Sequence, residues 1–385
     1  MLMMQIFFWC LAGLLFYSYI GYSALLACVL AISKKNKTDH SLSNSKVSII
    51  IPAYNEELFL KRKLENISAL NYPKELLQVI VVTDGSTDQS NKIVETFPFV
   101  QLLFINERNG KAAAINRAMQ FVVSSYVIFT DADTILNENA VQLILSHYQN
   151  ERVGGVACEK RIFLSKNNAK SNYAEGLYWQ YESFIKQMES EVHSVIGAAG
   201  EFFSIKTNLF ETIPEDTILD DFMISSIILK KGFRFVYEKN AIAVELPTVS
   251  LKEEAKRKIR IAAGAAQTFF RLGIWPYQNS WLNIQYLSRR VIRWVISPIA
   301  LIFIFVFNYI LININQLYHW FFIIQVLFYF FSAIGYIFYL FKIRSGILLA
   351  PMYFVFMNAC MLIGFIKYFT IGQSVNWKKA ERTAI

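Results

Sequence analysis

The first 33 residues contain no Asp, Glu, Lys or Arg, and neither do the 48 residues from Trp294 to Phe341 or the run from Ser345 to Ile366. About 20 apolar residues cross a hydrocarbon core of about 30 Å, so each stretch is long enough to span a bilayer. The polar Asn313-Ile-Asn315-Gln316 segment divides the middle run into two helices with a short turn. The expectation is one N-terminal and about three C-terminal transmembrane helices around a hydrophilic middle. A secretory signal would carry a basic start and a shorter apolar core before a small-residue cleavage site; residues 1–33 have none of these and read as an anchor. At 385 residues, 55% hydrophobic and 17% charged, the chain is too apolar for an ordinary soluble protein or a disordered one.

Three of the four cysteines (Cys10, Cys28, Cys360) lie in apolar runs and Cys158 stands alone, a spacing that suggests neither a zinc site nor a disulfide framework. Lys34, Lys35 and Lys37 follow the first apolar run, Arg289, Arg290 and Arg293 precede the second, and Lys342 and Arg344 precede the last. The positive-inside rule then puts residues 34–293 in the cytoplasm of a multi-pass cell-membrane protein. The same rule conflicts with Lys378, Lys379 and Arg382, which three late spans leave outside; either one late segment is re-entrant or the tail lies on the disfavoured side. A net charge of +9 without a nucleic-acid-binding motif favours membrane lipid headgroups as partners and excludes nucleic acid.

The organisation that follows is a membrane helix (1–33), a linker (34–45), an α/β domain (46–250), amphipathic interface helices (251–293), late membrane helices (294–370) and a tail (371–385). Within the α/β domain, β-branched runs at 47–51, 79–82, 102–105 and 126–129 alternate with helix-type spacing at 58–70, 90–97 and 110–123. This alternation builds βαβ units and a mainly parallel sheet, in which ligands bind beyond the carboxyl ends of the strands. The first strand runs into Pro52-Ala-Tyr-Asn-Glu56, the second into Thr83-Asp-Gly-Ser-Thr-Asp88 and the fourth into Thr130-Asp-Ala-Asp-Thr134. Each loop alone could be a turn or a helix cap. Together they would crowd like charges at one sheet edge unless a cation sits there, which points to a divalent ion holding a polyphosphate.

In that order and roughly that spacing, Ile-Pro-Ala-Tyr-Asn-Glu, Asp-Gly-Ser-Thr-Asp, Asn109-Gly-Lys111 and Asp131-Ala-Asp133 resemble the nucleotide-sugar domain of family 2 glycosyltransferases. The resemblance is to the membrane-embedded kind that includes cellulose, chitin, hyaluronan and poly-N-acetylglucosamine synthases, and it covers about residues 46–272. It implies a GT-A fold in the α/β class. It further implies that Pro52, Ala53, Tyr54, Glu56 and Asp84 line the base and ribose, that Lys111 contacts the nucleotide, and that Asp131, Ala132 and Asp133 form the metal motif. Asp133 would ligate Mg²⁺ or Mn²⁺, and Asp131 would contact ribose or a metal-bound water; hard oxygen ligands suit these ions.

Leu219-Asp220-Asp221, opening a helix, is similar to the family's acidic pair, and the resemblance makes Asp221 the base with Asp220 beside it; read locally, the pair is a helix cap. Gly197-Ala198-Ala199-Gly200 corresponds to the family's acceptor-side loop, while a tight turn before a strand would look the same. The aromatic stripe Tyr173, Leu177, Trp179, Tyr181 and Phe184 reads as core or interface packing. Processive relatives carry Gln-x-x-Arg-Trp where this chain has Arg257-Lys-Ile-Arg260-Ile261. Arg260 is retained for the diphosphate and Arg257 replaces Gln, although both arginines could equally be headgroup anchors. Ile261 removes an aromatic surface for a growing glycan. Lys252, Lys256 and Lys258 are expected opposite the apolar stripe of this amphipathic helix.

These readings converge on a metal-dependent inverting hexosyltransferase that uses a UDP-sugar donor and a glycan acceptor to make a β-linked surface polysaccharide, together with polysaccharide export partners. The alternative acceptor is a lipid, a polyprenyl phosphate or glycerolipid glycosylated once. A non-catalytic nucleotide-sugar or glycan sensor would not need to keep Asp131, Asp133 and Asp221 together.

Overall fold

The computed structural model describes residues 1–32, 45–163, 173–247, 250–341, 343, 346–372 and 374. Linker residues 34–44, Lys342, Arg344 and the basic tail residues Lys378, Lys379 and Arg382 lie outside them. One eight-stranded sheet holds β1 (Val47–Ala53), β2 (Leu77–Asp84), β3 (Val100–Ile105), β4 (Tyr126–Thr130), β5 (Thr134–Leu136), β6 (Val153–Ile162), β7 (Phe202–Lys206) and β8 (Arg234–Glu245) in the order β3-β2-β1-β4-β7-β6-β8-β5. The first four are parallel. β7 enters antiparallel between β4 and β6, and β8 pairs parallel with β6 and antiparallel with β5. The result is the mixed, mostly parallel GT-A-like sheet.

The continuous Val-Ser-Ile-Ile-Ile run makes β1 a strand covered on both faces, as parallel strands require. Val47, Ile49 and Ile51 pack with Leu60, Leu64 and Ile67 of the helix Glu57–Ser68. Ile50 faces the other way, onto Ala112, Ala114 and Ile115 of the helix Lys111–Met119. Small alanines on that helix bring its backbone close to the sheet, so its N-terminus is held at the strand ends.

Among the described residues, four helices are long and apolar enough to cross a membrane: Leu2–Ile32, Ser280–Leu311, Gln316–Leu340 and Leu348–Thr370. The first packs against the second through Phe8, Ala300, Ile304 and Leu311. The interface helix Leu251–Leu272 starts at Ser250, whose Oγ caps the Glu253 N–H at 3.3 Å, and it lies against the fourth span. A Cβ at Gly364 would come within 2.4 Å of the Ile259 carbonyl oxygen, so only glycine permits this approach.

Two expectations about charges are corrected. Arg289 and Arg293 do not flank the second span; they lie in its continuous helix and are buried. Arg289 pairs with Glu182 and, at 2.9 Å, with Glu189 of the helix Tyr173–Val192, and Arg293 meets Glu182 at 2.8 Å. Tyr22 of the first span donates to the same Glu189 at 2.6 Å. Buried charges need such partners, and here the pairing ties two spans to the soluble domain. Lys258, expected on the polar face of the interface helix, is likewise buried. It pairs with Glu254 at 3.4 Å and lies 5.3 Å from the Trp179 ring.

Candidate active site

The strand-end loops open onto one cavity of about 540 Å³, roofed by the interface helix and reaching Trp294, Met357 and Met361 on the membrane helices. Pro52 and Ala53 reach it as β1 ends, and Tyr54 follows, its ring covered by the Arg108 guanidinium at 3.6 Å from the centroid. Asn55 takes a positive φ of 53°, a conformation asparagine tolerates better than most residues. This turns the chain so that Glu56 also lines the cavity, its backbone N–H donating to Ser90 Oγ at 2.9 Å.

Asp84 closes β2 and organises the third loop. Its Oδ2 accepts the backbone N–H groups of Asn109 at 2.9 Å and Gly110 at 2.6 Å, and its Oδ1 lies 3.7 Å from Arg117. The side chain that was expected to meet the nucleoside thus also sets the start of the helix carrying Lys111.

Lys111 Nζ stands 2.8 Å from Asp131 Oδ1 and 3.6 Å from Asp220 Oδ2. Burial works against its charge, but Asp131 and Asp220 outweigh that and hold the amine above the usual lysine range. Burial raises Asp131, and the like charges of Asp133 and Glu201 add to this against the pull of Lys111. Asp221 follows on the same helix turn, and Gly200 lies close beneath it: a Cβ there would be 3.2 Å from Asp221 Oδ2 and 3.6 Å from Lys111 Nζ. Burial, with Asp220 and Glu201 nearby, pushes the Asp221 carboxyl up to about 7 despite Lys111. A carboxylate tuned in this way exchanges protons near neutrality.

Among the described residues there is no group of three or more His, Cys, Asp or Glu side chains placed to hold a metal. Asp131 and Asp133 still fit Mg²⁺ or Mn²⁺ by their chemistry, since such ions take one or two carboxylates and complete their shell with water and substrate phosphates.

Ala132, Asp133, Asp220, Asp221, Ala198, Ala199, Gly200, Arg257 and Arg260 all line the same cavity. Gly197 does not. It turns the loop behind the wall at φ +89°, where a Cβ would sit 2.8 Å from Phe222. Arg257 meets Glu201 at 2.8 Å, and Arg260 lies 3.4 Å from the Ile218 carbonyl. Trp179 of the aromatic stripe lines the cavity, and so does its neighbour Tyr178.

Sequence reasoning missed Glu201, Lys160, Glu245 and Lys63. Lys160 pairs with Glu201 and Glu245, and Arg257 joins the same group. Burial disfavours the Glu201 charge, but Lys160 and Arg257 hold its carboxyl below the usual range. The acid directly after Gly200 was the available signal. Lys63 is fully buried behind the Asp-Ala-Asp loop.

Residues 48–213 match the family described as Glycosyl transferase family 2. Poly-beta-1,6-N-acetyl-D-glucosamine synthase of Staphylococcus aureus (strain COL) is 26% identical over 235 residues, which cover 58% of this chain and 56% of that protein. The synthase of the same name from Staphylococcus epidermidis is 24% identical over 240 residues, 60% of this chain and 57% of that one. The chain therefore aligns with just over half the length of these relatives. Among solved structures, the mannosyltransferase PcManGT from Pyrobaculum calidifontis, in complex with GDP-Man and Mn²⁺, superposes with a TM-score of 0.74 at 21% identity, covering 96% of this chain and 100% of that one. The ordered acidic loops, the mixed sheet that carries them and the sequence match show that residues 48–213 resemble the glycosyl transferase family 2 domain, with the GT-A-like fold of the Pyrobaculum structure, beside helices long and apolar enough to cross a membrane.

Proposed function

We propose that this protein is a membrane-embedded, metal-dependent inverting glycosyltransferase that moves a sugar from a UDP-sugar to a glycan acceptor, building a β-linked surface polysaccharide. The observation that carries the proposal is the convergence of Lys111, Asp131, Asp220 and Asp221 on one cavity, reached from a strand end and two helix starts. The synthase names of the staphylococcal relatives and the nucleotide-sugar complex of the Pyrobaculum neighbour support the same class.

Asp131 and Asp133 would hold Mg²⁺ or Mn²⁺, which when bound offsets charge on the departing diphosphate. Arg257, Arg260 and Lys111 bring cationic groups to the same wall. Asp221 accepts the proton of the acceptor hydroxyl as that oxygen bonds to the anomeric carbon, while the bond from that carbon to the diphosphate breaks with its electron pair leaving on the nucleotide. With one base and no enzyme nucleophile, the displacement inverts the anomeric centre, so an α-linked donor gives a β-linked product. The basic residues around the first span support a cytoplasmic catalytic domain.

A second reading, single transfer to a lipid acceptor, is favoured by the reach of the cavity to Trp294, Met357 and Met361 and by Ile261 on its wall. Purified protein assayed for UDP release with a panel of UDP-sugars, with and without Mn²⁺, tests the common core; no release from any donor rejects it. Mass spectrometry of the products separates a polymer from a singly glycosylated lipid.

A further inference from the structure

Lys63 sits in the middle of the helix Glu57–Ser68 and is 0% exposed. Its ammonium donates to Thr130 Oγ1 at 2.8 Å, to the Thr134 carbonyl at 2.9 Å and to Thr134 Oγ1 at 3.0 Å. Those two threonines bracket Asp131-Ala132-Asp133. Each continues the network: Thr134 Oγ1 donates to the Asp131 carbonyl at 2.9 Å, and Thr130 Oγ1 to the Glu201 carbonyl at 3.1 Å. One turn further along the helix, Asn66 exchanges two hydrogen bonds with the Leu136 backbone, at 2.8 and 2.9 Å. The helix that leaves the Tyr54–Glu56 loop thus grips the acidic loop at both ends.

An apolar side chain could fill this position without partners, whereas a buried amine is tolerated here only through its hydrogen bonds to Thr130 and Thr134. We propose that Lys63 is a positioning residue that fixes the Asp131–Asp133 loop in its metal-binding shape and so sets the affinity of the site for a divalent cation. This rests on the reading of Asp131 and Asp133 as cation ligands. Outer partners of metal ligands typically change affinity by about 10- to 100-fold.

The test uses the full chain in detergent, with Mn²⁺ binding in the presence of UDP followed by electron paramagnetic resonance of free Mn²⁺. The melting temperature and UDP binding in EDTA are measured alongside. Lys63→Met should weaken Mn²⁺ binding about tenfold or more, with metal-free UDP binding unchanged and the melting temperature kept. Thr134→Val, which removes one hydroxyl of the same junction, should shift Mn²⁺ binding in the same direction by less. Native Mn²⁺ affinity in folded Lys63→Met overturns the proposal. If that variant does not fold, native affinity in Thr134→Val does so instead. A native protein that takes up no Mn²⁺ with UDP sinks the metal reading and this inference together, whereas equal binding in native and variant sinks the Lys63 role alone.

Discussion

Lys111 and Asp131, 20 residues apart in sequence, meet at 2.8 Å across the mouth of the cavity, with the amine one residue into its helix and the carboxylate one residue past the end of β4. Lys111 pulls the Asp131 carboxyl down against burial, Asp133 and Glu201, which together raise it, and it offers a cationic group to anionic oxygens. Lys111→Met should therefore weaken UDP binding by roughly 10- to 100-fold, the range of one charge-assisted hydrogen bond. Isothermal titration in the presence of Mn²⁺ measures it; unchanged affinity would assign the lysine to holding the acids alone.

A substitution at Asp221, the proposed base, tests binding apart from chemistry. Asp221→Asn keeps the size of the side chain and removes the proton acceptor, so UDP binding should persist while transfer falls by about 10²- to 10⁴-fold. With the native carboxyl pushed up to about 7, it is mostly protonated at pH 6 and mostly ionised at pH 8. Since the base works ionised, turnover at saturating donor should rise with pH across that window and level off above it. A native profile falling over the same range assigns the proton transfer elsewhere.

The parallel half of the sheet was legible because buried parallel strands are local apolar runs, and Val47–Ile51 and Val79–Val82 each announce themselves without knowledge of partners. The acidic loops follow such runs directly, so their convergence could be read as well. The antiparallel half was not legible. β8 is 12 residues long and mixes Arg234, Glu238, Lys239 and Asn240 with its apolar positions, and its partners β5 and β6 lie far away in sequence. Lys63 and Lys160 were missed for a related reason. A lysine on a helix or strand reads as solvated, and only tertiary packing reveals that its partners are threonines 67 and 71 residues on, or glutamates from two other elements. Arg289 and Arg293 carry the same ambiguity, since a charge beside an apolar run looks like a membrane flank until its acids are located.

The cluster of Lys160, Glu201, Glu245 and Arg257 makes a stability prediction with a defined pH direction. Lys160 is 1% exposed and pairs with both glutamates. Lys160→Met removes a cation paired with two buried carboxylates and should lower the melting temperature by several degrees at pH 7.5, because breaking one side of a buried pair leaves uncompensated charge. The native pairing holds the Glu201 carboxyl below its ordinary range. Its contribution is therefore fully present at neutral pH and lost only as pH falls well into the acid range. In the variant the same carboxylates gain by taking up protons, so the difference in melting temperature should narrow as pH is lowered from 7.5 to 5. A gap that widens on acidification would contradict this assignment.

The helix Leu251–Leu272 and the helix Leu348–Thr370 approach closely at Gly364. A Cβ at Gly364 would lie 2.4 Å from the Ile259 carbonyl oxygen and 2.5 Å from Ala262 Cβ, neither of which is the far end of a flexible side chain. Gly364→Ala must therefore push the interface helix away from the fourth span, at a cost of about 1–3 kcal/mol typical of overpacking. That helix carries Arg257 and Arg260 over the cavity, so the displacement should reach the site: transfer activity should fall together with thermal stability. UDP binding in EDTA, proposed to rest on Tyr54 and Glu56, should change little. Measuring UDP affinity in EDTA beside turnover distinguishes displacement of the roof from general unfolding, and a variant with native turnover would mean that the helix holds its place without this contact.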